Sequence, residues 1–237
     1  MSQANVVEQL TSGNNQLAKH AIHVHKFGGS SLATAQCIER VIDIIRRNCQ
    51  LNDVIVVSAN GNTTDALFAI YQQALEQDVD LFSSIEQLQQ AQSALLSSLL
   101  NSSSAARLIE NLNLDIEQLT LWLTTAPAKH QADMLAFGEL WSARLLSAVL
   151  SEHVCPSYHL DARDFLVINN DKDCVVDTEL STQQFSKKLQ KGKLAVITGY
   201  ITKNSDGDTC TLGRNGSDYS ATIMASLSGA LNVTLWT

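Results

Sequence analysis

Three stretches of the sequence carry side chains that could handle a phosphate or a small zwitterion. The first is Lys26-Phe27-Gly28-Gly29-Ser30-Ser31, in which a cation, two residues without a Cβ and two hydroxyls follow one another. Glycines let an anion approach the backbone closely. A turn that ends a strand and opens a helix also aims unpaired N–H groups and the positive end of the helix dipole at one point. The order differs from the G-x-x-x-x-G-K-[ST] phosphate loop, so phosphate binding here would belong to another kinase architecture. A glycine turn with a surface lysine and a serine cap is an equally good account of these six residues. The second stretch is Leu212-Gly213-Arg214-Asn215-Gly216-Ser217-Asp218-Tyr219-Ser220. Here Ser217 reads as a helix N-cap and Asp218 as a first-turn acid that complements the dipole. That leaves Arg214 unexplained: a rigid guanidinium fork suited to a carboxylate, in a loop whose glycines admit a ligand. The third is Glu139 in Gly138-Glu139-Leu140-Trp141-Ser142. Its helical neighbours are Leu135, Ala136, Ser142 and Ala143, three of them small, which leaves room beside the carboxylate. By pattern alone the commoner reading is a solvent-facing glutamate on an amphipathic helix.

These residues need elements to hold them. Ile22 to Phe27 reads as a short strand, and Leu32 to Cys49 carries Ile38, Val41, Ile42 and Ile45 at helical spacing. Asp53 to Ala59 is a continuous apolar run of the kind buried on both faces of a parallel sheet. It empties into a polar loop, Asn60 to Asp65, that caps a helix from about Ala66. Strand, helix, strand, helix is the α/β order, and ligands of such sheets collect at the C-terminal strand ends. Both polar loops lie there. From about 82 to 152 the chain is Leu/Gln/Ser-rich, with three helices expected over 85–100, 112–123 and 131–150, forming a helical section that packs on the sheet. Strands are expected again at 157–160, 165–168, 194–201, 209–212 and 231–236, with a short helix at 182–189 and another entered from Ser217. Residues 1–20 read as a polar lead-in and 21–237 as one domain. A chain that stops on a buried-type strand is expected to be a fragment lacking the C-terminal part of its fold.

Composition narrows the function classes. The 237 residues carry a net charge of −8, with no Lys/Arg cluster beyond short pairs, which argues against a nucleic-acid partner. Five scattered cysteines without a C-x-x-C pair fit a reducing cytoplasm better than a disulfide framework or a zinc site. His23 and His25, two apart on a strand with no third ligand in sequence, are read as incidental. No uninterrupted 18-residue apolar run is present, so no membrane-spanning helix is expected.

Taken in order, Lys26 to Ser31, Val57-Ser58-Ala59 with Thr64-Asp65, Gly138-Glu139 with Ser142, and Leu212 to Ala221 resemble the successive motifs of aspartate kinase. The Asn of Gly213-Arg214-Asn215-Gly216, with Leu140 to Leu145 and Leu160 to Arg163, is most similar to bifunctional aspartokinase/homoserine dehydrogenases of the methionine branch. The resemblance implies an amino-acid-kinase α/β/α sandwich around a mostly parallel sheet. It also implies transfer of the γ-phosphoryl of MgATP to the β-carboxylate of L-aspartate. By that match Lys26 would neutralise the transferring phosphoryl group, and Gly28, Gly29, Ser30 and Ser217 would line the phosphate site. Asp218 would orient Lys26, and Ser58 and Thr64 would line the aspartate pocket. Glu139 would grip the ammonium and Arg214 a carboxylate. Mg²⁺ would arrive with ATP, held by phosphates and water rather than by protein ligands. A homo-oligomer is expected, and little or no activity from this length of chain alone. Two other readings stay open: a kinase of the same fold acting on another small carboxylic amino acid, and a binding or assembly module without catalysis.

Overall fold

The computed structural model describes residues 21–169, 175–213 and 215–236. Its frame is a five-stranded sheet in the order β3-β5-β2-β1-β8, parallel throughout. The strands are β1 (His23–Phe27), β2 (Val54–Val57), β3 (Ser157–Leu160), β5 (Leu194–Thr198) and β8 (Asn232–Trp236). A second sheet of three, β4 (Val167–Ile168), β6 (Ile201–Asn204) and β7 (Thr209–Thr211), extends from the end of β5.

The apolar runs settle which face each side chain serves. Along β2, Val54 and Val56 join one core with Ala195 and Ile197, while Ile55 and Val57 join the other with Leu194 and Val196. Alternation within a uniformly apolar strand is what two covered faces require. One face carries α1 (Ala35–Asn48), α2 (Thr63–Glu76) and α5 (Gln131–His153); the other carries α6 (Thr178–Lys188) and α7 (Gly216–Ser228). The result is the α/β/α sandwich expected, with a mostly parallel sheet.

The helical section is three helices, as read, but its parts differ. Of α3 (Leu81–Leu99), α4 (Ser102–Thr125) and α5, it is α5 that lies along β3 and β5, while α3 and α4 pack on one another and on α2 and α5. Helix α4 begins ten residues before the expected Leu112. Asn101 accepts from the Ser103 and Ser104 amides through its side chain, so the Asn/Ser stretch is a cap and a first turn rather than a break. Helix α5 is also long and apolar enough to cross a membrane, which the search for an uninterrupted apolar run missed. It is a core helix: 83% of that apolar window is buried inside the fold.

Candidate active site

The C-terminal ends of β1, β2 and β5 converge with the first turns of α2 and α7 on a cavity of about 620 Å³. Lys26, Gly29, Ser58, Thr64, Glu139, Ser217 and Asp218 all line it, joined by Ala59, Gly61, Asp65, Tyr200, Gly213, Asn215 and Gly216. Residues 192 positions apart in sequence, Lys26 and Asp218, therefore face one space. Ser30 lies exposed in the short 3₁₀ turn Gly29–Leu32, outside this lining, and Arg214 lies outside the described residues.

Lys26 is the cation of the site. It is 8% exposed, and its Nζ stands 2.6 Å from Asp218 Oδ1, aligned as an ion pair rather than as a straight hydrogen bond. A Cβ on Gly28 would come 3.4 Å from that ammonium, and one on Gly29 would come 2.8 Å from the Ala59 carbonyl. Gly29 is thus required by how closely the turn after β1 and the 59–61 loop approach, whereas a Cβ on Gly28 would meet only the lysine ammonium at an ordinary contact distance; Gly61 N–H donates to the Gly29 carbonyl at 2.9 Å. The same packing leaves backbone, and not side chain, at the cavity wall beside Lys26, which is the cradle a phosphate needs. The turn leads first into the 3₁₀ helix and only then, through the Thr34 cap, into α1.

Glu139 is the anion, and the solvent-facing reading of it is overturned. Helix α5 is covered by the sheet on one side and by α2 and α4 on the others, so Glu139 is 3% exposed. Its Oε1 accepts the Ala59 amide at 3.3 Å, while Oε2 is buried without a partner. Burial, partly offset by that amide, pushes its carboxyl up to about 7. A carboxylate held this way lacks a cation that something entering the cavity could supply.

At the other wall the expected Ser217 cap is corrected. The N-cap of α7 is Asn215, in the left-handed region at φ 58°, and Ser217 falls within the first turn. Gly216 is confined there, since a Cβ would sit 2.7 Å from the Tyr200 ring. Tyr200 itself was not read as a site residue. It lines the cavity at φ 64°, its amide donating to Ser220 Oγ at 2.8 Å. The signal for it was the Thr198-Gly199-Tyr200 break after a buried strand, at the same sheet edge as the other loops. Similarly, the polar loop before α2 caps without the side chain of Asn62. Thr63 Oγ1 donates to the Asn60 carbonyl at 2.6 Å instead. Two further motifs are structural: Trp141 and Arg144 both reach Asp115 and tie α5 to α4, and Asp161 grips the Arg163 guanidinium.

Gly138 marks how tightly α5 presses on this loop. A Cβ there would meet the Ala59 methyl at 2.8 Å. Alanine would gain about 1 kcal/mol of helix propensity, against about 1–3 kcal/mol for overpacking. Because Ala59 is held through Glu139, the overpacking wins. Gly138→Ala is expected to lower the urea midpoint, with a net loss of about 1 kcal/mol.

The geometry can be set beside known proteins. The pattern of the amino acid kinase family matches residues 21–237. The chain is 39% identical over 216 residues to bifunctional aspartokinase/homoserine dehydrogenase 2 of Escherichia coli strain K12, covering 90% of this chain and 27% of that protein. It is 30% identical to lysine-sensitive aspartokinase 3 of the same organism, covering 91% of this chain and 49% of the other. The solved structure of E. coli aspartokinase III in complex with lysine and aspartate superposes with a TM-score of 0.80 at 28% identity, over 91% of this chain and 49% of that one. The form of that enzyme with aspartate and ADP gives 0.73 at 29% identity. The chain thus spans about a quarter of the bifunctional relative and about half of the lysine-sensitive one. With its parallel sheet, its glycine turn and its Lys26–Asp218 pair at the strand ends, this chain belongs to the amino acid kinase family.

Proposed function

We propose that the cavity is the aspartate and phosphate site of an aspartate kinase, which joins the γ-phosphoryl of ATP to the β-carboxylate of L-aspartate. The observation that carries this reading is one cavity lined by a buried cation and a buried anion with an open oxygen. Glu139 Oε2 suits the ammonium of an amino acid, and Lys26 suits the charge on a transferring phosphoryl group. The relatives solved with aspartate, and with aspartate and ADP, support the same pairing of ligands.

The chemistry asks little of the protein beyond placement. A carboxylate nucleophile is already anionic, so no general base is required: one of its oxygens forms the new P–O bond as the bond to the leaving ADP oxygen breaks. What must be supplied is alignment of two anions that repel each other, and positive charge between them. Lys26 provides that charge, and Asp218 holds the ammonium in place from the first turn of α7. Gly29, Gly61 and Gly216 keep side chains out of the space the phosphates would take. Ser58 and Thr64 offer hydroxyls to the amino acid, and Arg214 is assigned to a carboxylate by its motif. MgATP fits this lining as a substrate whose metal is held by its own phosphates. We further assign the chain to the cytoplasm and to a homo-oligomer.

Calorimetric titration of L-aspartate into the chain, with D-aspartate and L-glutamate beside it, tests the reading. Saturable 1:1 binding of L-aspartate, at least about tenfold tighter than either comparator, is the expected result. A folded chain that binds all three alike, or none, would refute the assignment.

A further inference from the structure

A second cluster of reactive side chains lies toward the opposite end of the sheet, and the proposed chemistry does not use it. His25 lies on β1, Cys49 caps the C-terminus of α1 and Asp53 leads into β2. One donor atom from each lies within 4.8 Å of the other two, the one such His/Cys/Asp/Glu group among the described residues. His25 is 4% and Asp53 2% exposed, and Cys49 is half-buried. His25 Nε2 is buried with no hydrogen-bond partner, at 3.7 Å from Asp53 Oδ2. Asp53 is fixed from behind, each oxygen accepting an amide: His23 N–H at 2.9 Å and Gln50 N–H at 2.7 Å.

We propose that His25, Cys49 and Asp53 supply three of the four ligands of a site for a divalent transition metal of borderline softness, zinc above all, with water in the fourth position. An imidazole, a thiolate and a carboxylate are the ligand types zinc takes, and a tetrahedral zinc would need donor separations of about 3.3–3.8 Å. The His25–Asp53 distance of 3.7 Å is a few tenths of an ångström longer than the roughly 3.3–3.6 Å of a nitrogen/oxygen pair on tetrahedral zinc, and Cys49, at up to 4.8 Å, needs to move in by about 1.3 Å at most. Asp53, oriented by two amides, is the kind of ligand whose geometry is set from outside the metal shell. One contact must give way: Trp236 Nε1–H points at His25 Nδ1 from 3.3 Å, so the ring has to change tautomer to bind metal through Nε2. A contact that long is weak, and its loss supplies a signal, because Trp236 stacks on His25 with centroids 6.2 Å apart. Such a metal would staple α1, β1 and the start of β2 together, away from the strand ends where ligands bind. His25 was read as incidental for want of a third ligand nearby in sequence; Cys49 and Asp53, four residues apart, lie more than twenty residues on and are brought beside it by the parallel pairing of β1 and β2.

The test uses the whole chain after treatment with a chelator. Cobalt(II) titration should show one equivalent bound with a sulfur-to-metal charge-transfer band, displaced by zinc, and a change in tryptophan emission. Zinc should also raise the melting temperature. Cys49→Ser should abolish the charge-transfer band and weaken zinc binding by more than the roughly 10–100-fold typical of outer-shell changes. Circular dichroism would confirm that this near-isosteric variant is folded, and His25→Gln should give the same loss. No stoichiometric uptake by the folded wild type, or a sulfur band that survives Cys49→Ser, would overturn the proposal.

Discussion

Glu139→Gln is expected to weaken L-aspartate binding by about 100-fold or more, while leaving succinate, which lacks the ammonium, nearly unaffected. The size follows from what is lost. A buried, charge-assisted contact is replaced by the NH2 of a neutral amide, a donor facing the ammonium, since the one amide oxygen is turned to Ala59; the change is about 3–5 kcal/mol when one partner of a buried pair goes. Gln keeps the acceptor for the Ala59 amide, so the loop is preserved and the loss reports on charge. The same variant should be more stable than wild type without ligand. The Glu139 carboxyl is raised from 4.5 to about 7 by burial, so the folded chain resists ionising a group that the unfolded chain ionises freely. Below about pH 4.5 the group is protonated in both states and contributes no penalty. Between 4.5 and 7 the unfolded chain releases the proton first and stability falls; above 7 the deficit is constant, on the order of 3 kcal/mol. Urea midpoints of the two proteins should therefore diverge from pH 4.5 to 7 and run parallel above it. Aspartate affinity in the wild type should show the mirror image, falling about tenfold per pH unit below 7, because the ammonium needs the ionised carboxylate. A pH-independent affinity, or a Gln variant that binds as wild type does, would remove Glu139 from the site.

The contrast between this residue and its surroundings shows what a sequence can disclose. Strands β2 and β5 were legible because a sheet covered on both faces demands unbroken apolar runs, and few other elements do. Gly28, Gly29, Lys26 and Asp218 were legible as candidates because glycine and charge at a strand end have few bland uses. For Glu139 the resemblance pointed to the site while the pattern pointed to solvent, because amphipathic logic assumes that one side of a helix meets water. Helix α5 meets protein nearly all round, burying 15 of its 23 residues, so periodicity held no information about which polar side chain faces a cavity. The start of α4 was missed because a run of Asn and Ser reads as a break on paper while Asn101 in fact caps the helix; the cap of α7 was missed because Asn215 takes the N-cap position through a left-handed backbone, with no side-chain bond to signal it. Tyr200 was passed over because it was read inside a single strand, 194–201; its left-handed backbone breaks that strand and is tied by its amide to Ser220 of α7, 20 residues further on. The fold follows from patterns that repeat along the chain; the site depends on contacts that do not.

Lys26→Met is expected to reduce phosphoryl transfer by about 10³-fold or more, with aspartate affinity changed less than about threefold. The division follows from where the ammonium stands. Its Nζ lies against Gly28 and Asp218, on the glycine-turn side of the cavity, where it meets charge that develops on a transferring phosphoryl group and not the amino acid's own ammonium. Interactions confined to the transition state appear in kcat and leave ground-state binding alone, and cationic clamps on phosphoryl groups contribute on the order of 10³–10⁵-fold. Methionine fills nearly the same volume without a charge to bury, so folding should survive. Lys26→Arg should rescue little: the side chain is buried and its ammonium is placed as a compact point charge 2.6 Å from Asp218, which a longer, planar guanidinium fork does not reproduce. Asp218 acts through the lysine as a positioning residue, and its carboxylate is partly open to solvent, so Asp218→Asn should cost less, about 10–100-fold in kcat. The double variant should then be no worse than Lys26→Met alone, because a residue that positions a missing group has nothing left to position. ADP release coupled to aspartate, with MgATP binding followed separately by calorimetry, distinguishes these outcomes. Additive losses in the double variant would mean that Asp218 meets the substrates on its own account.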